Sequence, residues 1–301
     1  MSPSNNLNTE NLETEVAIVG GGGAGLAAAA AAAEMGAKVT VLEKRRSFGG
    51  NSALAGGIFA AGSHLQRQRR IQVSTDICFK EAMSYSHNKI NPRIIRAFLN
   101  KSGDTVKWLE DMGLIIYDLP PYYPGQTMIT WHCPKAGGRA IINVLVRRCK
   151  ALGVQLVSPA RAMKIRLDEK GNTSGVLAEY KRKQLGVTAK SVIIATGGFA
   201  GNKELLKKYG QLYGDNIYLI GLPHTGDGIV MATEIGADTD GLGILHLTGP
   251  GFPSSRVLSG MAMEPLTVWV NKKGQRFTDE GTGIKSFEAV NAQMRQPELL
   301  A

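Results

Sequence analysis

The sequence predicts an α/β fold, and three stretches carry that prediction. Residues 16–43 run through an apolar segment, a glycine turn, an alanine-rich helix and a second apolar segment. Residues 154–195 read as a series of short β runs with polar turns, and beyond Asp238 the chain becomes irregular and rich in Gly and Pro. The expected architecture is a Rossmann-like domain with a β-meander, plus a partial α+β domain. Residues 1–13, polar and Asn-rich, are expected to be a disordered lead-in, with the main domain over 14–237 and the partial one over 238–301.

The first stretch is the most informative. Val16–Val19 reads as a strand, Gly20, Gly22 and Gly25 as the turn, and Val39–Leu42 as a second strand that ends in Glu43. This is a βαβ unit with the dinucleotide fingerprint. Gly20 makes the tight turn off the strand, Gly22 lets the backbone approach a pyrophosphate, and Gly25 lets the helix pack closely on the sheet. The helix N-terminus then offers N–H groups to phosphates. Glu43 stands 23 residues after Gly20, near the spacing that brings a carboxylate against a ribose hydroxyl pair, and its acidity argues against a 2′-phosphate. Ala24 and Lys44 adjoin these positions and belong to the same candidate set.

Bulk composition narrows the class. A chain of 301 residues can bury an ample core, and 37 glycines are well above the usual share of about 7%. Glycine on this scale suits a backbone that must approach a large ligand in several places. The excess of 35 Lys+Arg over 25 Asp+Glu gives a net charge of +10, which is compatible with anionic ligands. Its one tight cluster, Arg67, Arg69 and Arg70, has no interleaved aromatics and reads as a solvated surface loop rather than a nucleic-acid site. Cys78, Cys133 and Cys149 form no CxxC pair, which fits a reducing compartment and lends no support to a metal site. Val16–Ala33 is uncharged and 18 residues long, but its consecutive glycines and small alanines make a poor membrane span. The polar N-terminus has no basic signal region, so the default location is cytoplasmic.

The remaining elements follow in order. Arg45–Ala61 is too dense in glycine for a regular helix and is expected to be a loop followed by close-packed backbone. Ile77–Tyr85 and Ile94–Met112 have helical periodicity, with Gly113 as the stop of the second. Leu119–Pro134, with its prolines, Tyr122, Tyr123, Trp131 and His132, is a loop able to line a pocket. Gly137 and Gly138 open a helix with an apolar face of Ile141, Ile142, Leu145, Val146 and Cys149. It feeds a strand at Val154–Val157, then β runs at Ala162–Leu167, Ser174–Tyr180 and Val187–Ala195. The end of the last run, SVIIATGG, is apolar before Thr196 and is expected to be a buried central strand. Asn202–Tyr209 and Asp227–Ile235 read as helices, and Leu266–Val270 and Gln275–Phe277 as a strand pair.

Five blocks in order, the fingerprint with its LEK ending, GGNSALAGG, AKSVIIATGGFAGN, HTGDGIVMATEIGAD and VNKKGQRFTDE, resemble the flavoprotein family of fumarate reductases, succinate dehydrogenases, urocanate reductases and ketosteroid dehydrogenases. The resemblance spans Val16 to Glu280 and implies an FAD cofactor with hydride transfer between flavin N5 and an activated C–C bond. By this resemblance Glu43 holds the adenosine ribose. Gly50, Asn51, Ser52, Gly56 and Gly57 run under the pyrophosphate and flavin, Ala162 contacts adenine through its backbone, and Ala195, Thr196 and Gly197 end a strand beside the dinucleotide. Asp227 either hydrogen-bonds the cofactor or serves as an ordinary helix N-cap. Members that bond FAD covalently carry a histidine where this chain has Gly50, so non-covalent FAD is implied.

On the substrate side the chain departs from the family. A QAHP-like segment is matched by LHLTGP, which puts His246 and Thr248 where Gln and His would stand, and Ile284 stands where an arginine proton donor would follow Arg276 and Glu280. An alkyl chain cannot replace a guanidinium in carboxylate binding or proton delivery, which argues against fumarate reduction by the usual mechanism. Candidate catalytic or substrate-binding residues are Tyr122, Tyr123, His132, His246, Thr248, Arg276 and Glu280, each with a structural alternative. The chain stops at Ala301 without a GLYAAGE-like segment, so the expectation is a fragment or a chain completed by another polypeptide. The implied partners are a small organic substrate and an electron-transfer partner. A nicotinamide-dependent enzyme and a non-catalytic fragment remain the rival readings.

Overall fold

The computed structural model describes residues 10–121, 128–210, 219, 221–222, 224–244 and 267–280. The chain opens with an edge strand β1 (Glu10–Glu13), followed by the βαβ unit β2 (Val16–Val19), α1 (Gly23–Glu34) and β3 (Val39–Leu42). A 3₁₀ turn at Gly50–Leu54 leads to β4 (Ile58–Phe59), α2 (His64–Gln68), α3 (Thr75–Tyr85), α4 (Pro92–Asp111), β5 (Ile116–Asp118) and β6 (Trp131–Pro134). Then come α5 (Gly137–Ala151), β7 (Gln155–Val157), β8 (Ala160–Leu167), β9 (Thr173–Tyr180), β10 (Lys183–Thr188), β11 (Ser191–Ile194), α6 (Lys203–Tyr209) and α7 (Asp227–Glu234).

Local chemistry explains the helix ends. The α4 N-terminus is capped by Asn91, whose side chain accepts from the Arg93 N–H, and Pro92 follows where no intrahelical donor is needed. Ser63 and Gln66 form a reciprocal capping box at α2, and the Asn202 side chain accepts from the Glu204 and Leu205 N–H groups at α6. Gly113 at φ +95° lets the chain turn away after α4.

β2 is the central ribbon of a parallel sheet of order β11-β2-β3-β7. Because side chains alternate across a strand, Ile18 faces one way and Ala17 and Val19 the other. Ile18 packs with Leu26 of α1 and Ile142, Leu145 and Cys149 of α5, so the alanine-rich α1 is buried between sheet and helix. Ala17 and Val19 pack with Leu42, Val176, Val187 and Met231, which closes the antiparallel meander β10-β9-β8 and α7 over the opposite face. Among the described residues no helix is long and apolar enough to cross a membrane.

Several expectations need correction. Glu10–Glu13, assigned to a disordered lead-in, is a strand that pairs in parallel with β10, register Glu10↔Leu185. An edge strand is held by main-chain hydrogen bonds and needs few apolar side chains, and here Leu12 alone packs on the core. The single run Val187–Ala195 is two strands in two sheets, β10 and β11, separated at Ala189–Lys190. β11 lies at an edge of the parallel sheet rather than its centre, with Ile193 and Ile194 37% and 38% exposed. The loop Leu119–Pro134 ends in a strand, β6, which pairs with both β4 and β5. The exposed Arg67, Arg69 and Arg70 start on the last turn of α2, and Arg69 pairs with Asp118 at 3.2 Å. The expected pair near Leu266–Phe277 is reduced to one antiparallel bridge, Val270↔Arg276, within the described residues.

Candidate cofactor site

At the carboxyl ends of β2, β3 and β11 the chain forms a cleft, the place where open α/β sheets bind their ligands. Two glycines set its floor. A Cβ on Gly20, whose φ is +108°, would lie 2.4 Å from the Ala195 carbonyl oxygen, and one on Gly25 would lie 1.9 Å from the Gly20 carbonyl oxygen. The first contact seats β2 against the end of β11, and the second seats α1 on the turn, so no side chain fits at either position.

The acid at the end of β3 organises the turn. Glu43 is buried, 6% exposed, and its Oε2 accepts from the Gly21 N–H at 2.8 Å while Oε1 accepts from the Arg45 N–H at 2.7 Å. Each oxygen keeps a lone pair for a further donor, as a ribose hydroxyl would supply. The Ser52 hydroxyl accepts from the Gly23 N–H at 3.2 Å, tying the 3₁₀ turn to the start of α1. Gly22 caps α1 and gives it no side-chain hydrogen bond. On the opposite wall Lys44 Nζ donates to Asp227 at 3.0 Å and to the Thr225 hydroxyl at 2.9 Å, and that hydroxyl donates to Asp227 at 2.6 Å. Burial would raise the Asp227 carboxyl, but the Thr225 and Lys44 hydrogen bonds and the Lys44 charge outweigh it and hold the group ionised below its usual range. The Gly228 N–H donates to Thr196 Oγ1 at 3.2 Å and locks α7 onto the end of β11.

Gly20, Gly22, Ala24, Glu43, Lys44, Gly50, Asn51, Ser52, Ala162, Ala195, Thr196, Gly197 and Asp227 all line this cleft. Three expected members do not. Gly25 acts from beneath through the packing just described. Gly56 and Gly57 face Trp131, and a Cβ on Gly57 would lie only 2.7 Å from the indole, so the close approach to β6 leaves no room for a side chain there. Asp227 is the first residue of α7 and Gly226 its cap, without a side-chain cap bond, so the ordinary N-cap alternative fails.

Sequence reasoning missed His224, Leu222, Ala160 and Arg45, which also line the cleft. His224 stands inside the quoted HTGDG block, yet its partner Asn51 is 173 residues away and no local signal connects them. Asn51 Oδ1 accepts from the Leu222 N–H at 2.6 Å and its Nδ2 donates to the Leu222 carbonyl at 3.3 Å and to His224 Nε2. Burial, helped by the Lys44 charge, pushes the His224 imidazole below its usual pKa and keeps it neutral.

The catalytic candidates fall elsewhere. Arg276 and Glu280 do not line the cleft; Arg276 Nη2 donates to Glu280 Oε2 at 2.7 Å, and Glu280 Oε1 accepts from the Trp269 N–H at 2.6 Å. The guanidinium and that N–H hold the Glu280 carboxyl down to about 2. A carboxylate so stabilised is a weak base, and the pair braces the segment 267–280. His132 is fully buried, with Nδ1 on the Thr130 carbonyl at 3.0 Å and Nε2 on the Ser63 hydroxyl at 2.7 Å, so it is a structural histidine. Burial lowers its pKa. Tyr122, Tyr123, His246, Thr248 and Ile284 lie outside the described residues.

The walls fit a dinucleotide. A Cβ on Gly22 would meet its nearest atom, the Gly49 carbonyl oxygen, only at 3.8 Å, and one on Gly50 would meet the Gly22 Cα at 3.8 Å. Side chains there would fill the gap between the fingerprint and the 3₁₀ turn, which glycine leaves free beside the α1 N-terminus for phosphates. The described walls enclose about 250 Å³, less than the roughly 300–1,000 Å³ of pockets that hold a whole drug-sized ligand. They therefore house one part of an extended dinucleotide.

Comparison with known proteins agrees with this geometry. The family described as FAD binding domain matches residues 15–297. A vinyl phenol reductase from Lactiplantibacillus plantarum is 34% identical over 304 aligned residues, covering 95% of this chain and 60% of its own length. The fumarate reductase (cytochrome) of Shewanella frigidimarina is 30% identical over 93% of this chain and 50% of its own. The chain thus spans about half to three-fifths of these relatives. The open conformation of a flavocytochrome c3 fumarate reductase superposes with a TM-score of 0.75 at 28% identity, over 95% of this chain and 51% of that one. The 3-ketosteroid-Δ4-(5α)-dehydrogenase of Rhodococcus jostii RHA1, at 24% identity over 95% of this chain and 64% of its own, shares the fold with a TM-score of 0.75. With the fingerprint, the Glu43 turn, the glycine cradle and the TGDG helix gathered on one cleft, the chain belongs to the FAD-binding flavoprotein family of the fumarate reductases and succinate dehydrogenases.

Proposed function

We propose that this protein is an FAD-dependent oxidoreductase acting on a C=C or CH–CH bond of a small organic substrate, the bond being activated by a neighbouring carbonyl. The observation that carries the reading is the convergence of the fingerprint, the GGNS turn, the end of β11 and the start of α7 on one cleft. When bound, FAD supplies a site at flavin N5 that gives or takes a hydride. The chain's residues bind and orient it: Glu43 takes the ribose hydroxyls, the Gly22–Gly50 gap and the α1 N-terminus take the pyrophosphate, and Ala162 meets the adenine through its backbone. Thr196 and Gly197 line the wall at the end of β11, and Asp227, held ionised by Lys44 and Thr225, offers an acceptor from α7. Gly50 has no side chain to attach, which supports non-covalent binding.

For the substrate, relatives that reduce vinyl phenol and fumarate frame the choice. Thr248 and Ile284, in place of a carboxylate-clamping histidine and a proton-donating arginine, favour a substrate other than a dicarboxylate. The test is to purify the protein, load it with FAD, reduce the flavin anaerobically, and follow reoxidation by enoyl acids, steroid enones, vinyl phenols and fumarate. Reoxidation by enoyl or enone compounds, with flavin released intact on denaturation, is the expected result. Reoxidation by dicarboxylates alone would overturn the reading of Thr248 and Ile284.

A further inference from the structure

His224 enters neither the fingerprint nor the family blocks as a singled-out residue, yet it holds the cleft together from one side. Asn51 sits in the 3₁₀ turn that also carries Ser52, and Ser52 is bonded to the first residue of α1. The segment Leu222–His224 leads into α7, which carries Asp227. These two walls of the cleft meet through the Asn51 side chain. Its Oδ1 takes the Leu222 N–H, a group that can only donate, so the amide orientation is fixed and Nδ2 is a donor. His224 Nε2 must then accept, and the ring proton belongs on Nδ1. That nitrogen is buried, with no hydrogen-bond partner among the described residues, beside the Gly197–Gly198 backbone.

The assignment has a chemical consequence. With Nδ1 already protonated, a second proton can be taken only at Nε2, the atom that accepts from Asn51. Two N–H donors would then point at each other. The Lys44 charge adds to the cost by repelling an imidazolium, while the Asp227 carboxylate is engaged by Lys44 and Thr225. We propose that His224 is a positioning residue for the cofactor, acting through Asn51, and that the chain retains its dinucleotide only while this imidazole is neutral. The proposal rests on the FAD reading above and adds a residue and a pH dependence to it.

Burial and Lys44 depress the imidazole in the closed cleft, while in an opened cleft it titrates near its ordinary value of 6.5. The closed form thus binds fewer protons, so its advantage is full above about pH 6.5 and shrinks as the pH falls below that value. The experiment is FAD titration of the purified chain by quenching of flavin fluorescence at pH 8 and pH 5.5. The wild type is expected to bind FAD more weakly at pH 5.5 than at pH 8. His224→Gln, which keeps an acceptor near Nε2 and cannot be protonated, is expected to bind as the wild type does at pH 8 and to show no loss at pH 5.5. His224→Ala is expected to bind weakly at both. A His224→Gln variant with the wild-type pH slope, or a His224→Ala variant with wild-type affinity, would overturn the proposal.

A second readout needs no cofactor. Long-range ¹H–¹⁵N spectra of the apo chain at pH 7 are expected to show His224 neutral with its proton on Nδ1, and Asn51→Ala is expected to raise its titration midpoint. A proton on Nε2 in the wild type overturns the proposal even if FAD binds. If FAD fails to bind at any pH while the tautomer and the Asn51→Ala shift are as expected, the cofactor reading falls and the clasp stands.

Discussion

The cleft and the segment 267–280 both contain ionisable side chains, but they use them in opposite ways. In the cleft, Glu43, Lys44 and Asp227 are anchored by backbone or by one another and border a gap lined with glycine. In the segment, the Glu280 carboxylate is taken up by Arg276 and the Trp269 N–H. Charged residues in a recognisable motif are therefore an ambiguous sign of chemistry. Anchored groups beside a gap bind a ligand, whereas groups that consume each other brace the chain.

The strongest way to break the contrast is to fill the gap's floor. Gly20→Val adds a branched side chain 2.4 Å from the Ala195 carbonyl at a φ of +108°. The combined strain and overpacking are expected to cost about 3 kcal/mol or more and to abolish flavin retention, as read from the urea midpoint and from flavin absorbance after desalting. Wild-type flavin content would mean that the β2–β11 junction does not shape the site.

Glu43→Gln comes next. It keeps one acceptor but turns an amide donor toward a backbone N–H inside a buried turn, at an expected cost of about 1.5–3 kcal/mol. FAD affinity should fall with stability, which denaturation in the presence and absence of FAD would measure. A loss of stability without loss of affinity would restrict Glu43 to the turn.

In the segment 267–280 the effect is local. Glu280 is held at about 2 against an ordinary 4.5, so its ionised form favours the folded segment. That contribution is complete above about pH 4.5 and is lost as pH falls toward 2. Exchange of the Trp269 amide hydrogen should accelerate over that range, and at neutral pH in Glu280→Gln, with FAD affinity unchanged. Weaker FAD binding by Glu280→Gln would show that the two regions are coupled.

The smallest effect belongs to Lys44→Met. Its pair with Asp227 is partly solvated, at 36% and 18% side-chain exposure, and such pairs contribute about 0.2–1 kcal/mol. A few-fold loss of FAD affinity that disappears at high salt is expected, measured by titration at two ionic strengths.

Much of the cleft was legible in the sequence because its makers are glycines and one acid at fixed spacing, whose steric reasons act over a few residues. Gly20, Gly25 and Glu43 need only their own turn to be understood. β11 was harder: SVII reads as apolar on both sides whether or not a neighbouring strand covers it, so its edge position was invisible. The break at Ala189–Lys190 was hidden because both flanking runs have strand composition and differ only in the sheet they join. β1 was missed because main-chain pairing leaves no apolar pattern. His224 went unrecognised for a reason of distance, since only the fold brings Asn51 to it.

The strand order has a consequence during synthesis. β2 leaves the ribosome early, but its neighbour β11 is 175 residues later in register, Val16↔Ser191, and the Asp227 wall later still. At bacterial or eukaryotic elongation rates, the interval between Glu43 and Asp227 lasts on the order of 10–40 s. Throughout it the nascent fingerprint exposes an apolar ribbon and an alanine-rich helix that FAD cannot protect, because its site does not yet exist. The cofactor site is therefore completed only after the Asp227 wall has been made.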